Sequence, residues 1–163
     1  MHAQKGIITP YLFKMKYWIA HHEMYSVCDG YSGYFQIRIR EEDQKNTSFV
    51  TPWGVYAYRV MPFGLTNAPA TFQCFMSQVF APYLGKFIRV FLDDFCIYSS
   101  RVDHLEKLRI ALKSIDDAKG CLNPTKCRLA RKKVSLLGHI ISKEGIEMDP
   151  EKMQSWPFHH LAM

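Results

Sequence analysis

The sequence contains no apolar run approaching the roughly 20 residues that span a bilayer. Residues 1–10 lack the hydrophobic core of a secretory signal. Neither a membrane partner nor secretion is expected. Cysteine is used five times, at Cys28, Cys74, Cys96, Cys121 and Cys127, an odd number at irregular spacing with no C-x-x-C. That pattern argues against a disulfide framework and against a zinc site. It favours reduced thiols in an intracellular setting, cytoplasmic or nuclear. Internal repeats and low-complexity segments are absent. Acids are missing from one stretch in particular: residues 120–133 hold Lys126, Arg128, Arg131, Lys132 and Lys133 and no Asp or Glu. Such a run is either a solvated face or a surface for a polyanion.

What is present fits one domain. A chain of 163 residues can bury a real core. An aromatic content of 14% is too high for a disordered tail, and the net charge of +6 permits a polyanionic partner without proving one.

The most informative stretch is Val90-Phe91-Leu92-Asp93-Asp94-Phe95-Cys96-Ile97-Tyr98. Two adjacent acids sit in a run that is otherwise apolar, β-branched and aromatic, which reads as strand, tight reversal, strand. Burying charge without a partner costs roughly several kcal/mol, so something cationic is required there, and a divalent metal with oxygen ligands is the simplest candidate. Asp116-Asp117 is an internal control: its setting is polar and helical, and those acids should be solvated.

Along the chain, residues 1–20 show no clear period, and His21 and His22 read as loop residues rather than ligands. Residues 24–29 form a short apolar run ending at Asp29 and broken by Gly30-Tyr31-Ser32-Gly33. Strict alternation from Phe35 to Arg40 suggests a strand, followed by a polar connection at 41–44. Residues 47–51 and 55–60 are strand candidates around a turn at Pro52-Trp53-Gly54. A helix over about 68–84 is expected, capped by Asn67 and ended by Gly85, with Phe72, Phe75, Met76 and Val79 inside. Ser100 with Asp103 suggests the cap of a second helix, whose inner face would be Leu105, Leu108, Leu112 and Ile115. Residues 134–137 and 139–142 look like a strand pair around Gly138, and Asp149-Pro150 could open a last helix. The order points to an α+β fold: a split β-α-β, ferredoxin-like arrangement with a mostly antiparallel sheet and helices on one face. It would bring Asp29 and Asp93 together across 64 positions of sequence (93 − 29).

The motifs resemble the palm of the reverse transcriptases of gypsy-type LTR retrotransposons. Cys28-Asp29-Gly30-Tyr31-Ser32-Gly33-Tyr34-Phe35-Gln36-Ile37 is similar to the family's first aspartate motif. The stretch from Met61-Pro62-Phe63-Gly64 to Thr71-Phe72-Gln73 is similar to its template- and nucleotide-facing motif, and Phe91-Leu92-Asp93-Asp94 to its aromatic-x-Asp-Asp motif. Leu122-Asn123-Pro124-Thr125-Lys126-Cys127 and Leu136-Leu137-Gly138-His139 resemble the lysine-bearing segment and the primer grip. Gly145-Ile146 and Asp149-Pro150 continue the pattern. Five ordered motifs at matching spacing are specific where one would not be.

The resemblance implies an RNA-directed DNA polymerase domain of a Pol polyprotein, with a polymerase palm over 21–152, a remnant of fingers at 1–20 and an unassigned tail at 153–163. It implies two Mg²⁺ ions, with Mn²⁺ as a substitute, about 4 Å apart. Asp29, Asp93 and Asp94 would be the catalytic and metal-binding acids, Asp94 the weaker or outer one. Tyr34 would lie under the sugar and reject a 2′ hydroxyl; without the resemblance it reads first as a core aromatic. Phe63, Gly64 and Gln73 would line or shape the nucleotide site. Lys126 would stand near the departing pyrophosphate or be a plain surface lysine. Leu137, Gly138, His139 and Arg128 would contact primer or template. The partners implied are an RNA or DNA template with its primer and deoxynucleoside triphosphates; oligomeric state is open. Residues 1–20 depart from the family's fingers, and no thumb or RNase H pattern follows the primer grip. The expectation is a truncated or decayed reading frame whose palm survives. A catalytically silent remnant with the palm fold and nucleic-acid affinity is the alternative. A non-enzymatic ferredoxin-like RNA-binding domain is a third reading, and its aromatic signature is not seen.

Overall fold

The apolar run that stops at Asp29 becomes strand β1, Met24–Asp29, and other strands pair with it on both sides. A computed structural model of the chain describes residues 16–30, 32–91 and 94–150. Strands β4 (Ile88–Phe91) and β5 (Asp94–Ser99) form the central hairpin, and β5 runs antiparallel to β1 from Met24↔Ser99 to Asp29↔Asp94. Strand β6, Arg128–Arg131, pairs with the other side of β1 through Tyr25↔Arg131 and Val27↔Arg128. The sheet order is β4-β5-β1-β6. Between these strands come α2 (Ala68–Val79), after β1, and α3 (His104–Asp117), after β5. Strand, helix, strand, strand, helix, strand with the first and third strands central is the ferredoxin-like, split β-α-β pattern.

Alternation along the central strands feeds two cores. Cys28, Ile88, Val90, Phe95 and Ile97 face α2 and α3, where Phe72, Met76, Leu108, Ala111 and Ile115 are buried. Tyr25, Val27, Cys96 and Tyr98 face the opposite way, onto Ile19, Ala20, Val134, Leu136 and Ile141. The second layer comes from helical residues 16–19 and from a three-stranded antiparallel sheet of β7 (Lys133–Leu136), β8 (His139–Ser142) and β9 (Gly145–Met148). So α2 and α3 cover one face, and the other is covered too.

Several expectations need correction. Residues 35–40 are not a strand: Gly33–Gln36 is a 3-10 turn entered through Ser32 at φ 47°, and only Arg38 makes a bridge, to Val60. The cause is tertiary. A Cβ on Gly33 would lie 2.6 Å from Phe72 Cζ, and one on Gly30 would lie 3.0 Å from the same atom, so the chain curls over that ring. The polar connection is one helical turn, α1 (Glu41–Gln44), and the hairpin is shorter than expected, β2 (Phe49–Thr51) with β3 (Gly54–Tyr56). Helix α2 stops at Val79, before Gly85, and Asn67 makes no side-chain cap bond. In α3 the inner face is His104, Leu108, Ala111 and Ile115, while Leu105 is 74% and Leu112 38% exposed. The helix starts at His104, whose ring is held between two buried hydroxyls, Ser26 Oγ at 2.8 Å and Ser99 Oγ at 2.7 Å. That anchor sets the rotation of the helix. Ser100 Oγ donates to Asp103 Oδ2 at 2.7 Å, but the pair lies ahead of the helix, whose N-cap is Asp103 with no side-chain cap bond. Asp116 and Asp117 are exposed, as the control required. His21 is exposed, but His22 is half-buried against the Tyr98 ring, 4.7 Å between centroids. Of the last helix only Pro150 is described; the remainder, with the tail at 153–163, lies outside the described residues, as do residues 1–15.

Candidate active site

The acid pair that ends β1 and begins β5 sits at one end of the sheet. Asp29 and Asp94 are partners in the antiparallel register, so their side chains leave the same face. By the alternation of β1 that is the face of Tyr25 and Val27, away from α2 and α3. Asp93 lies outside the described residues.

A third element closes on this end. After Gly120 the chain returns past β1: Gly30 bridges Leu122, and Asn123 N–H donates to the Asp29 carbonyl at 2.9 Å. The Gln36 side chain clamps the same segment, receiving the Cys121 N–H at 2.8 Å and donating to the Cys121 carbonyl at 3.0 Å. Asn123 then organises a tight turn. Its Oδ1 accepts from Thr125 N–H and Oγ, and its carbonyl accepts from Lys126 and Cys127 N–H. The turn raises Lys126 over the acid, with Nζ 2.9 Å from Asp29 Oδ2. The carboxylate is largely covered, 15% exposed, while the lysine is 66% exposed. Sequence reading did not find Gln36 or Asn123 as the positioning residues of this segment; the Asn-Pro-Thr run was the available signal.

Asp29, Asp94 and Lys126 open onto a cleft of about 490 Å³ whose rim carries Arg128, Arg131 and Lys133, with Leu136 and Leu137 as its wall. Arg128 Nη1 also donates to the Thr125 carbonyl at 2.9 Å. Of the residues implicated from sequence, Asp29, Asp94, Lys126, Arg128 and Leu137 are brought together here. Leu137 and Gly138 form the β7–β8 turn with φ of 51° and 76°. Lys16, buried beneath that turn, donates to the Leu137 carbonyl at 3.0 Å and to His139 Nδ1 at 2.7 Å. Burial lowers the Lys16 pKa. Lys16 carried no signal in sequence, since its partners are more than a hundred residues away.

The remaining implicated residues stand outside the cleft. Tyr34 packs tilted against Phe63 at 5.0 Å between centroids and edge-on to Phe72 at 5.8 Å, and Phe35 meets Phe63 at 5.4 Å. Tyr34 is therefore both core aromatic and neighbour of the exposed Phe63. Gly64 has φ 95° with open space where a Cβ would be, so backbone conformation rather than a close neighbour demands glycine. Gln73 is half-buried on α2. These residues join Asp29 through the Gly30–Gly33 curl over Phe72.

Among the described residues no three His, Cys, Asp or Glu side chains converge on one point. The two described acids still suit a hard cation. They offer only oxygen, they come from neighbouring strands, and Asp29 already attracts an ammonium.

Fold and acids together define a polymerase palm. The family model described as reverse transcriptase (RNA-dependent DNA polymerase) matches residues 3–141, and the chain belongs to that family. It is 38% identical over 134 residues to the retrovirus-related Pol polyprotein from transposon 297 of Drosophila melanogaster, covering 82% of this chain and 13% of that one. Against the corresponding polyprotein from transposon gypsy the figures are 36% over 134 residues, with the same coverage. The chain thus spans about an eighth of the length of these relatives. Among solved structures, a foamy viral protease-reverse transcriptase in complex with double-stranded DNA matches with a TM-score of 0.79 at 24% identity, over 88% of this chain and 26% of that one. The resemblance to gypsy-type elements, drawn from five motifs, is borne out.

Proposed function

We propose that this chain is the palm, over residues 21–152, of an RNA-directed DNA polymerase from a retrotransposon Pol polyprotein. It would add deoxynucleotides to a primer on an RNA or DNA template. One observation carries the reading: Asp29 and Asp94, from strands distant in sequence, are register partners at the mouth of a cleft rimmed by Arg128, Arg131 and Lys133.

Reverse transcriptases generally use divalent metal ions. In this chain Asp29 and Asp94, with Asp93 from the same motif, would hold two Mg²⁺ or Mn²⁺. Bound there, the ions would neutralise the triphosphate and ease ionisation of the primer 3′ hydroxyl. The protein's own part is positioning. The β1–β5 ladder fixes the acids rigidly, and the basic rim attracts phosphate without reading sequence. Lys126, on turning away from Asp29, would bring its ammonium to the pyrophosphate end of the triphosphate. Tyr34 and Phe63 form the apolar floor on which a sugar would rest, and the turn at Leu137, Gly138 and His139, held from below by Lys16, would meet the primer backbone. Five free thiols fit an intracellular, cytoplasmic or nuclear setting.

The test is primer extension on a primed template with Mg²⁺ or Mn²⁺, using the folded 163-residue chain and its Asp29→Asn variant. Incorporation that drops by about a hundredfold or more in the variant, roughly 2.7 kcal/mol of lost transition-state stabilisation, supports the reading. Folded, metal-binding protein that incorporates nothing would favour the silent remnant.

A further inference from the structure

Three consecutive residues of β1 face three consecutive residues of the returning segment. Val27 is the ladder partner of Arg128. Asp29 is the ion-pair partner of Lys126 at 2.9 Å. Between them lie Cys28 and Cys127, which face each other when the Val27↔Arg128 register is extended by one position. Their thiols are within hydrogen-bonding reach. Cys127 N–H is directed to the Asn123 carbonyl rather than across to β1. Directly opposed antiparallel residues have Cα atoms about 4.5–5.5 Å apart, inside the range of about 4.4–6.8 Å that a disulfide spans. Both side chains pack on the α2 and α3 side of the sheet, opposite to the acids. The other cysteines have no such opposite number among the described residues: Cys74 and Cys121 are exposed, and Cys96 is buried in the second core.

We propose that Cys28 and Cys127 are a redox-sensitive pair whose disulfide locks Lys126 onto Asp29 and closes the acid site to divalent cations. The metal half of this rests on the polymerase reading; the thiol half does not. The oxidant is a peroxide. Half-buried Cys127 is the accessible thiol. Its sulfur attacks hydrogen peroxide, the O–O bond breaks, and sulfenic acid and one water result. Cys28 sulfur then attacks the Cys127 sulfur, the S–S bond forms, the S–O bond breaks, and hydroxide leaves with the Cys28 proton as a second water. Two thiols are oxidised and one peroxide is reduced to two waters. Cys28 is fully buried and out of reach of peroxide, which assigns it the resolving role. The bond ties the end of β1 to the turn that carries Lys126 and so holds the ion pair in place.

The test uses the full chain, reduced or treated with hydrogen peroxide. Free thiols are alkylated, proteolytic peptides are mapped by mass spectrometry, and Mn²⁺ affinity is measured by electron paramagnetic resonance. The expected result is a Cys28–Cys127 cross-linked peptide that dithiothreitol removes. Mn²⁺ affinity should fall by about tenfold or more, within the usual range of coupling between sites. In Cys127→Ser neither the cross-link nor the loss of affinity should occur. Oxidation confined to Cys74 and Cys121, or Cys127 carried on to sulfinic acid without a bond to Cys28, overturns the pair. A cross-link that leaves Mn²⁺ affinity unchanged overturns the lock. Reduced protein that binds no Mn²⁺ overturns the polymerase reading and the lock with it, while the peptide map still decides the pair.

Discussion

Asp29 and Lys126 meet across the end of the central sheet, carboxylate oxygen to ammonium at 2.9 Å, with the acid covered and the base exposed. The lysine occupies the electrostatic role that a metal would take over, so the two compete for one carboxylate. A pair with one exposed partner contributes about 0.2–1 kcal/mol. Lys126→Gln should therefore tighten Mn²⁺ binding about two- to fivefold in the absence of nucleotide. Titration of the reduced protein by electron paramagnetic resonance reads this directly, and weakened binding would contradict it.

The His104 relay gives a pH dependence. Ser99 Oγ donates to the Ser100 carbonyl at 2.9 Å, so the ring's Nδ1–H donates to Ser99; Nε2 then accepts from Ser26, which in turn accepts the Ala130 N–H at 3.0 Å. Every position is filled by a neutral ring, and burial, with Lys107 nearby, lowers the His104 pKa. The unfolded imidazole takes up its proton near pH 6.5, the native one only below that. This contribution to stability is complete above about pH 6.5 and is lost as pH falls below it. Urea midpoints between pH 5 and 8 should show the slope, and His104→Gln should flatten it.

Much of this was legible from residue pattern, and the misses have one physical origin. The β1, β4 and β5 strands are short apolar runs with abrupt polar ends, and their two acids stand out because nothing polar surrounds them. Alternation at 35–40 was misleading because the chain there answers to Phe72, more than thirty positions away, rather than to its own period. The inner face of α3 was misjudged because leucine outranks histidine on any apolar scale, yet His104 has two buried hydroxyls waiting and Leu105 has none. Strand β9 and the packing of Ile19 exist only because another layer needs covering. Within the cleft, Asp29 and Lys126 were identifiable through the family likeness, whereas Lys16, Gln36 and Asn123 act through backbone groups that no motif displays.

Gly33→Ala should injure the site without touching an acid. The new methyl would stand 2.6 Å from the Phe72 ring, an overpacking worth about 1–3 kcal/mol. The loss should appear in the urea midpoint. Combining it with Phe72→Leu should recover part of what the two changes cost separately, a non-additivity expected of touching residues.

If template and primer lie along the basic rim, their affinity should fall steeply with salt. Arg128→Gln should reduce the slope of log affinity against log salt by about 1, with no change in sequence preference. Fluorescence anisotropy of a labelled primed duplex across a salt series makes the measurement, and an unchanged slope would remove Arg128 from the interface.

The two strands that carry the described acids are the central pair of a sheet whose neighbours are supplied later in the chain. Asp29 and Asp94 are 65 positions apart (94 − 29) and become adjacent only through the β1–β5 ladder. Synthesis from the N-terminus therefore releases Asp29 long before the strand that completes its environment. Sheets closed by such distant pairings form late and slowly. A partly synthesised chain carries the first acid but none of the geometry, so the paired-acid arrangement at this end of the molecule appears with sheet closure rather than accumulating by degrees.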